Sequence, residues 1–324
     1  MKALIIGAAG FVGQYLIRHL ARDCGYTVCA TKLPQEELST EDAAVYDLDI
    51  LDADAVLRLF DTLKPDCIFH LAAQSSVALS WKKPDLTVNI NINGTLHVLE
   101  AARQMQTPPR ILLIGSGEEY GYVKPEDCPL QEETPLHPAN IYAVTKACAE
   151  NLAAVYARAY GLWVVCVRAF NHVGPKQLPQ FVVADFCKQA AEIECGLHEP
   201  VIRTGNLAPK RDFTDVRDIV RAYAMLMQNG RSGEIYNVGS GHAKAISELL
   251  DEIRRLSTAD FAIETDPEKL RPTDLPVIEA DISKLQRDTG WTPTYSLTQT
   301  LSDTLEDWRG ILKADAESTA KKEC

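Results

Sequence analysis

The chain has 324 residues, 46% of them hydrophobic and 24% charged, a globular composition long enough for a large core. A formal net charge of −12, from 33 Lys and Arg against 45 Asp and Glu, removes the electrostatic case for a nucleic-acid partner. It leaves an anionic small ligand open, because helix amino termini and a few arginines bind one locally.

Nine cysteines stand at 24, 29, 67, 128, 148, 166, 187, 195 and 324. Their odd number, the lack of a CxxC pair and their apolar settings predict reduced core thiols in a cytoplasmic protein. No His/Cys cluster has ligand spacing, so no metal is expected. The first apolar run, 3–6, flows into a glycine loop and reads as a strand rather than a signal peptide. No stretch approaches the roughly 20 apolar residues of a membrane span, so no membrane partner is expected.

In chain order, residues 3–6 predict a buried strand, the glycines a turn, and 11–22 a helix. A second strand is expected over 26–31 and a third over 44–48, followed by a helix over 53–63. The fourth strand, 66–70, leads to a helix over 88–103. The fifth, 110–115, leads to the helix carrying Tyr142, and 163–168 is the sixth. Strands that are apolar throughout and alternate with helices predict an α/β fold, a doubly wound parallel sheet covered on both faces, with right-handed crossovers. After Asn171 the alternation loosens. Helices are expected over 215–228, 245–256 and 283–290, with extended pieces at 201–203 and 235–238 and a mostly polar stretch over 257–278. The predicted organisation is a nucleotide-binding domain over 1–170 and a smaller carboxyl-side substrate lobe over 171–312 that shares some elements with the main sheet. A frayed tail is expected over 313–324.

Gly7, Gly10 and Gly13 follow the first strand and open the first helix. Their GxxGxxG spacing is one residue wider than the GxGxxG fingerprint, but the mechanics agree: a tight turn, close backbone approach, and a helix amino terminus for a pyrophosphate. Lys32 ends the second strand where an Asp or Glu commonly meets the adenosine ribose. A lysine can meet a 2′-phosphate and nothing acidic in the local sequence repels it, so NADP(H) is favoured, with NAD(H) possible. Asp49 is placed to accept from an adenine amino group, although a solvent-facing turn aspartate fits the position equally well. His70 is read as a satisfied loop histidine. Asn91 places an amide on the next helix, where it could hold backbone or water near the helix carrying Tyr142 or stand as a surface asparagine.

Tyr142 and Lys146 are four apart, one helical turn from each other on one face. An ammonium that close favours the phenolate and moves a tyrosine from its ordinary ~10 toward working pH, which suits proton exchange with a substrate oxygen while a cofactor passes hydride to carbon. Ser116, leaving the fifth strand at its carboxyl end, can hydrogen-bond that same oxygen. Glu118 could reach the substrate or stand as an exposed turn carboxylate. Arg211 and Arg271 carry forks suited to phosphate oxygens.

Read in order, GxxGFxG (7–13), HLAA (70–73), NxNGT (91–95), SxEEYG (116–121), YxxxK (142–146), RxFNHxGP (168–175), RDFTDVRD (211–218) and YNVGSG (236–241) resemble the extended short-chain dehydrogenase/reductase family over residues 1 to about 310. The resemblance implies a Rossmann-type domain for NAD(P), with Gly7, Gly10, Phe11, Val12, Gly13, Lys32, Asp49, Ile50, Leu71, Ala72, Ala73, Asn91, Tyr142 and Lys146 about the cofactor. It implies a carboxyl-side lobe for a nucleotide-diphosphate sugar, with Ser75, Glu118, Asn171, Gln180, Val182, Asn206, Arg211, Arg271 and Asp274 about the substrate. It also implies a Ser116–Tyr142–Lys146 triad on the sugar's C4 oxygen: Ser116 orients it, Tyr142 is acid/base, and Lys146 tunes Tyr142 and binds the nicotinamide ribose.

Within the family the segments at 168–172, 205–207, 211 and 271–274 are similar to the branch acting on GDP-mannose. Two activities are found there, 4,6-dehydration of GDP-mannose and reduction of the resulting C4 ketone to GDP-D-rhamnose. The short chain, the Thr31–Lys32 doublet and the forms of the 115–121 and 271–276 motifs favour the reductase. Glu118, which matches the dehydratase's elimination base, keeps that reaction as the alternative. Another nucleotide-sugar reductase or epimerase, and a catalytically silent cofactor-binding sensor, stand behind these; the intact triad argues against the sensor. A homodimer through helices near 88–103 and 140–158 is implied by the resemblance.

Overall fold

The computed structural model describes residues 1–270 and 275–322. Among them the strands are β1 (Lys2–Ile6), β2 (Thr27–Lys32), β3 (Ala44–Asp47), β4 (Cys67–His70), β5 (Arg110–Ile114), β6 (Val164–Ala169), β7 (Asn171–Val173), β8 (Val201–Thr204), β9 (Lys210–Asp215), β10 (Ile235–Val238), β11 (Ala243–Ala245), β12 (Ala262–Thr265) and β13 (Val277–Ile278). Seven form one parallel sheet in the order β10-β6-β5-β4-β1-β2-β3. Along β1, Ala3 and Ile5 join one apolar cluster while Leu4 and Ile6 join another, the period of two that a strand buried on both faces requires. Helices Ala53–Leu63, Thr95–Gln104 and Ile141–Tyr160 cover one face, and Phe11–Arg18 and Val216–Asn229 the other. Strand order runs outward in both directions from β1 and β4, so a crevice opens above their carboxyl ends, where parallel sheets of this kind take ligands.

The smaller lobe carries β7, β9, β11 and β13 in a second sheet and the pair β8–β12. Helices Val182–Glu194, Ile246–Leu256 and Leu297–Lys322 close its own core around Phe186, Ile202, Leu249 and Leu301. Chain order and spatial order diverge here: β10, from the second half of the chain, is the edge strand of the main sheet. The helix expected over 88–103 is three pieces, Pro84–Val88, a wide π-helical turn Asn89–Gly94, and Thr95–Gln104. The segment 313–322, expected to fray, continues the helix Leu297–Lys322, and its alanines and lysines are strong helix formers.

One buried ion pair fixes the helix Ile141–Tyr160 against β6. Arg168 is 3% exposed and Glu150 is 5% exposed; the guanidinium donates to both carboxylate oxygens at 2.9 and 2.7 Å and to the Glu132 carbonyl at 2.8 Å. Arg168→Met should cost about 3–5 kcal/mol in urea unfolding, because Glu150 is left buried without a partner. Adding Glu150→Leu should recover most of that loss. A single variant as stable as wild type would refute the account.

Candidate active site

A cleft of about 1570 Å³ lies over the carboxyl ends of β1, β2, β5 and β6 and continues into the smaller lobe. The three loop glycines serve it differently. Gly7 holds φ +83°, and a Cβ there would stand 2.6 Å from the Ala72 Cα; at Gly13 a Cβ would stand 2.3 Å from the Ala8 carbonyl oxygen. Both are required by the protein's own packing. Gly10, the amino-terminal cap of the helix Phe11–Arg18, has φ −66°, and a Cβ there would meet only the Gly7 carbonyl oxygen at an ordinary 3.5 Å. Nothing among the described residues requires glycine at that exposed position, so its bare backbone fits a group outside the protein, a pyrophosphate against a helix amino terminus.

Phe11 and Val12, Asp49 and Ile50, and Leu71 to Ala73 all line the same end of the cleft. Asp49 accepts its own loop's amide from Leu51 at 2.9 Å. Lys32 also lines the cleft, but the expectation that nothing acidic opposes it is corrected. Its amine sits 2.5 Å from Asp47 Oδ1, because parallel pairing puts Lys32 beside Asp47 in β3. Asn91 holds backbone near the helix carrying Tyr142, as its position suggested, but it does not line the cleft, so its place about the cofactor is corrected. Its amide is buried away from the cleft, accepting from the Gln74 amide at 2.8 Å and donating to the Gln74 carbonyl at 3.1 Å and to Thr145 Oγ1 at 2.9 Å. It braces the helix carrying Tyr142, and the wide turn at 89–94 sets it there.

Ser116, Glu118, Tyr142 and Lys146 meet at the end of β5. Asn140 caps the helix Ile141–Tyr160 by accepting the Ala143 amide at 2.9 Å, and its Nδ2 donates to Glu118 Oε2 at 3.2 Å. Ser116 lines the cleft with Tyr142, and its hydroxyl accepts the Glu118 amide at 3.2 Å. Lys146 Nζ donates to the Ile114 carbonyl at 2.6 Å and stands 6.0 Å from the Tyr142 ring centre. The expectation of a phenolate is reversed. Burial pushes the Tyr142 phenol well up, Glu119 and Glu118 add to that, and only the Ser116 hydroxyl pulls it down. Tyr142 is therefore a neutral donor at working pH. Lys146 is brought down to about 8, burial outweighing the nearby Glu119.

Toward the lobe, Ser75, Asn171, Gln180, Val182, Asn206 and Arg211 line the cleft. Arg211 is held by the Leu275 and Lys210 carbonyls at 2.7 and 2.9 Å. Arg271 and Asp274 lie outside the described residues. Three participants escaped the sequence reading. Asn140 is one. His172 and Tyr223 are the others, joined at 3.1 Å in the cleft wall; burial brings His172 down to about 4, so it is a neutral ring. His172 was visible in the RxFNHxGP motif, whereas Tyr223 sits on a helix with no local signal.

A family model described as GDP-mannose 4,6 dehydratase matches residues 4–304. The chain is similar to the GDP-6-deoxy-D-mannose reductase of Pseudomonas aeruginosa, at 32% identity over 314 residues covering 97% of this chain and 99% of that one. It is similar to a GDP-mannose 4,6-dehydratase of Vibrio cholerae at 27% identity, covering 92% and 91%. Among solved structures, RMD from Pseudomonas aeruginosa complexed with NADPH superposes with a TM-score of 0.86 at 32% identity, covering 96% of this chain and all of that one. The UDP-glucose 4-epimerase of Thermotoga maritima with UDP-glucose gives 0.86 at 30% identity, with the same coverage.

Gly10→Val separates packing from ligand space. Its unfolding midpoint should match wild type, while NAD(P)H binding, followed by nicotinamide fluorescence, should weaken about tenfold or more. Unchanged binding would show that the loop does not carry the pyrophosphate.

Proposed function

The chain belongs to the GDP-mannose 4,6-dehydratase family, and from that premise we propose that it reduces the C4 ketone of GDP-4-keto-6-deoxy-D-mannose, yielding GDP-D-rhamnose. The observation that carries this reading is Tyr142, a buried phenol kept protonated by burial, lining the same cleft as Ser116 and Lys146. A reduced nicotinamide, when bound, supplies the hydride to C4. The glycine loop and the helix Phe11–Arg18 would hold its pyrophosphate. Tyr142 Oη donates its proton to the C4 oxygen as negative charge develops there, and Ser116 steadies that oxygen by hydrogen bonding. The phenolate left on Tyr142 is then stabilised by the Lys146 ammonium on the same helix face. Asn171, Asn206 and Arg211 line the part of the cleft that would receive the nucleotide-sugar diphosphate.

Elimination across C5–C6 is the second reading, and Glu118 favours it, since its carboxylate also lines the cleft and could act as a base. The assay that decides uses keto sugar made in situ with purified protein and NADPH or NADH. Loss of reduced-nicotinamide absorbance that needs the keto sugar is expected, and Tyr142→Phe should lower kcat about 10²- to 10⁴-fold. No oxidation, together with keto sugar formed from GDP-mannose without added reductant, would replace the reductase with the dehydratase.

NADP(H) is the proposed cofactor on the strength of Lys32, with Asp47 competing for that amine. Asp47→Asn should raise the preference for NADPH over NADH in binding titrations by about two- to fivefold, the weight of one surface charge contact. An unchanged ratio would mean that Lys32 does not read the 2′-position. A homodimer is also proposed, supported by the exposed Val144, Val155 and Tyr160 on the helix Ile141–Tyr160. Light scattering should give twice the chain's 35.8 kDa, and a monomer mass would sink the idea.

A further inference from the structure

We propose that Glu119 is a positioning residue of the catalytic centre, whose carboxyl group both holds the Ser116 backbone in place and faces Lys146 as its counter-charge. The inference rests on the oxidoreductase reading of the site. Of the adjacent Glu118 and Glu119, only Glu118 lines the cleft; Glu119 is wholly buried beneath it. Its Oε1 accepts the Ser116 amide at 2.6 Å. Two residues earlier, the Ile114 carbonyl accepts Lys146 Nζ at 2.6 Å, and the Gly115 amide between them is tied to the Val167 carbonyl at 2.7 Å. The backbone that carries Ser116 is thus gripped by two titratable side chains from different elements. Gly115 is cut to fit the grip, since a Cβ there would lie 2.5 Å from Glu119 Oε1.

The second oxygen, Oε2, is buried and has no hydrogen-bond partner. A carboxyl kept in that state needs a reason beyond capping a short turn. Its surroundings supply one. Glu150 and Lys146 face it from the helix Ile141–Tyr160, together with Tyr142, and Arg168 and Cys166 face it from β6. Arg168 already pairs with Glu150, which leaves Lys146 as the cation that a Glu119 anion would support. Lys146 faces one further titratable group, His70, which burial and then Lys146 itself bring down to about 3, so that ring is neutral. Burial, then Glu150, raises Glu119 to about 8; burial lowers Lys146 to about 8. An anion at Glu119 favours the charged form of Lys146, so ionisation of Glu119 keeps Lys146 charged to higher pH.

Two substitutions divide the roles. Glu119→Gln keeps an oxygen for the Ser116 amide and removes the charge. Glu119→Leu removes both. In Glu119→Gln, kcat on the acidic plateau should stay near wild type while the alkaline limb of the pH–rate profile moves down by about one unit. Glu119→Leu should lose about 10²-fold in kcat at every pH, as expected for a misplaced reacting group. The ¹³Cε resonance of Lys146, titrated in wild type and Glu119→Gln, follows the same ionisation without any substrate. Its midpoint should fall by the same amount. Coincident Lys146 midpoints in the two proteins would overturn the proposal, as would a Glu119→Leu enzyme with wild-type kcat. Failure of the wild-type protein to turn over would count against the reductase reading alone, because the lysine titration stands independently of it.

Discussion

Lys146 reaches from the helix Ile141–Tyr160 to the Ile114 carbonyl at the end of β5, and the geometry of the site depends on that one bond. It joins the two elements whose relative placement brings Ser116 against Tyr142. A charged donor to a neutral carbonyl is stronger than an amide–amide bond, and burial removes the water that would compete for it. Around it, Asn91 braces the same helix through Thr145, Asn140 caps it, and Arg168 ties its middle to β6. The reacting groups therefore stand on rigid elements, as differential stabilisation of a transition state requires.

Low dielectric decides the charge states in this cleft. A histidine–lysine–tyrosine set in water would titrate over a wide range near its ordinary values. Here burial removes charge from His70 and His172, keeps Tyr142 protonated and brings Lys146 close to neutral pH. The buried charges that persist are paired, Arg168 with Glu150 being the clearest case. Burial thus fixes the resting state of the site: Tyr142 holds a proton that it can give to an oxygen only as negative charge develops there.

The fold does not choose the reaction. Structures described as RMD with NADPH and an epimerase with UDP-glucose superpose on this chain equally well, so the choice rests with side chains on a shared frame. Glu118 and Glu119 illustrate how finely that choice is made. They are neighbours in sequence, yet one faces the cleft beside Asn140 and the other is sealed beneath Ser116.

Local pattern was enough for six of the sheet's seven strands, though not for the placement of the edge strand β10, and for the axis of the site. Apolar runs separated by helical periods determined β1 to β6, and the glycine loop, Ser116, Tyr142 and Lys146 were visible because each sits where a strand end or one helical turn dictates its direction. Contacts between distant segments were invisible to the same reading. The Asp47 partner of Lys32 comes from strand register, the Gln74 and Thr145 partners of Asn91 from a wide turn, and Tyr223 from a helix more than fifty residues beyond His172. The protonation of Tyr142 belongs to the same class. Spacing places an ammonium near it, but only the folded chain, by excluding water from the phenol and directing that ammonium to the Ile114 carbonyl, decides that the proton stays.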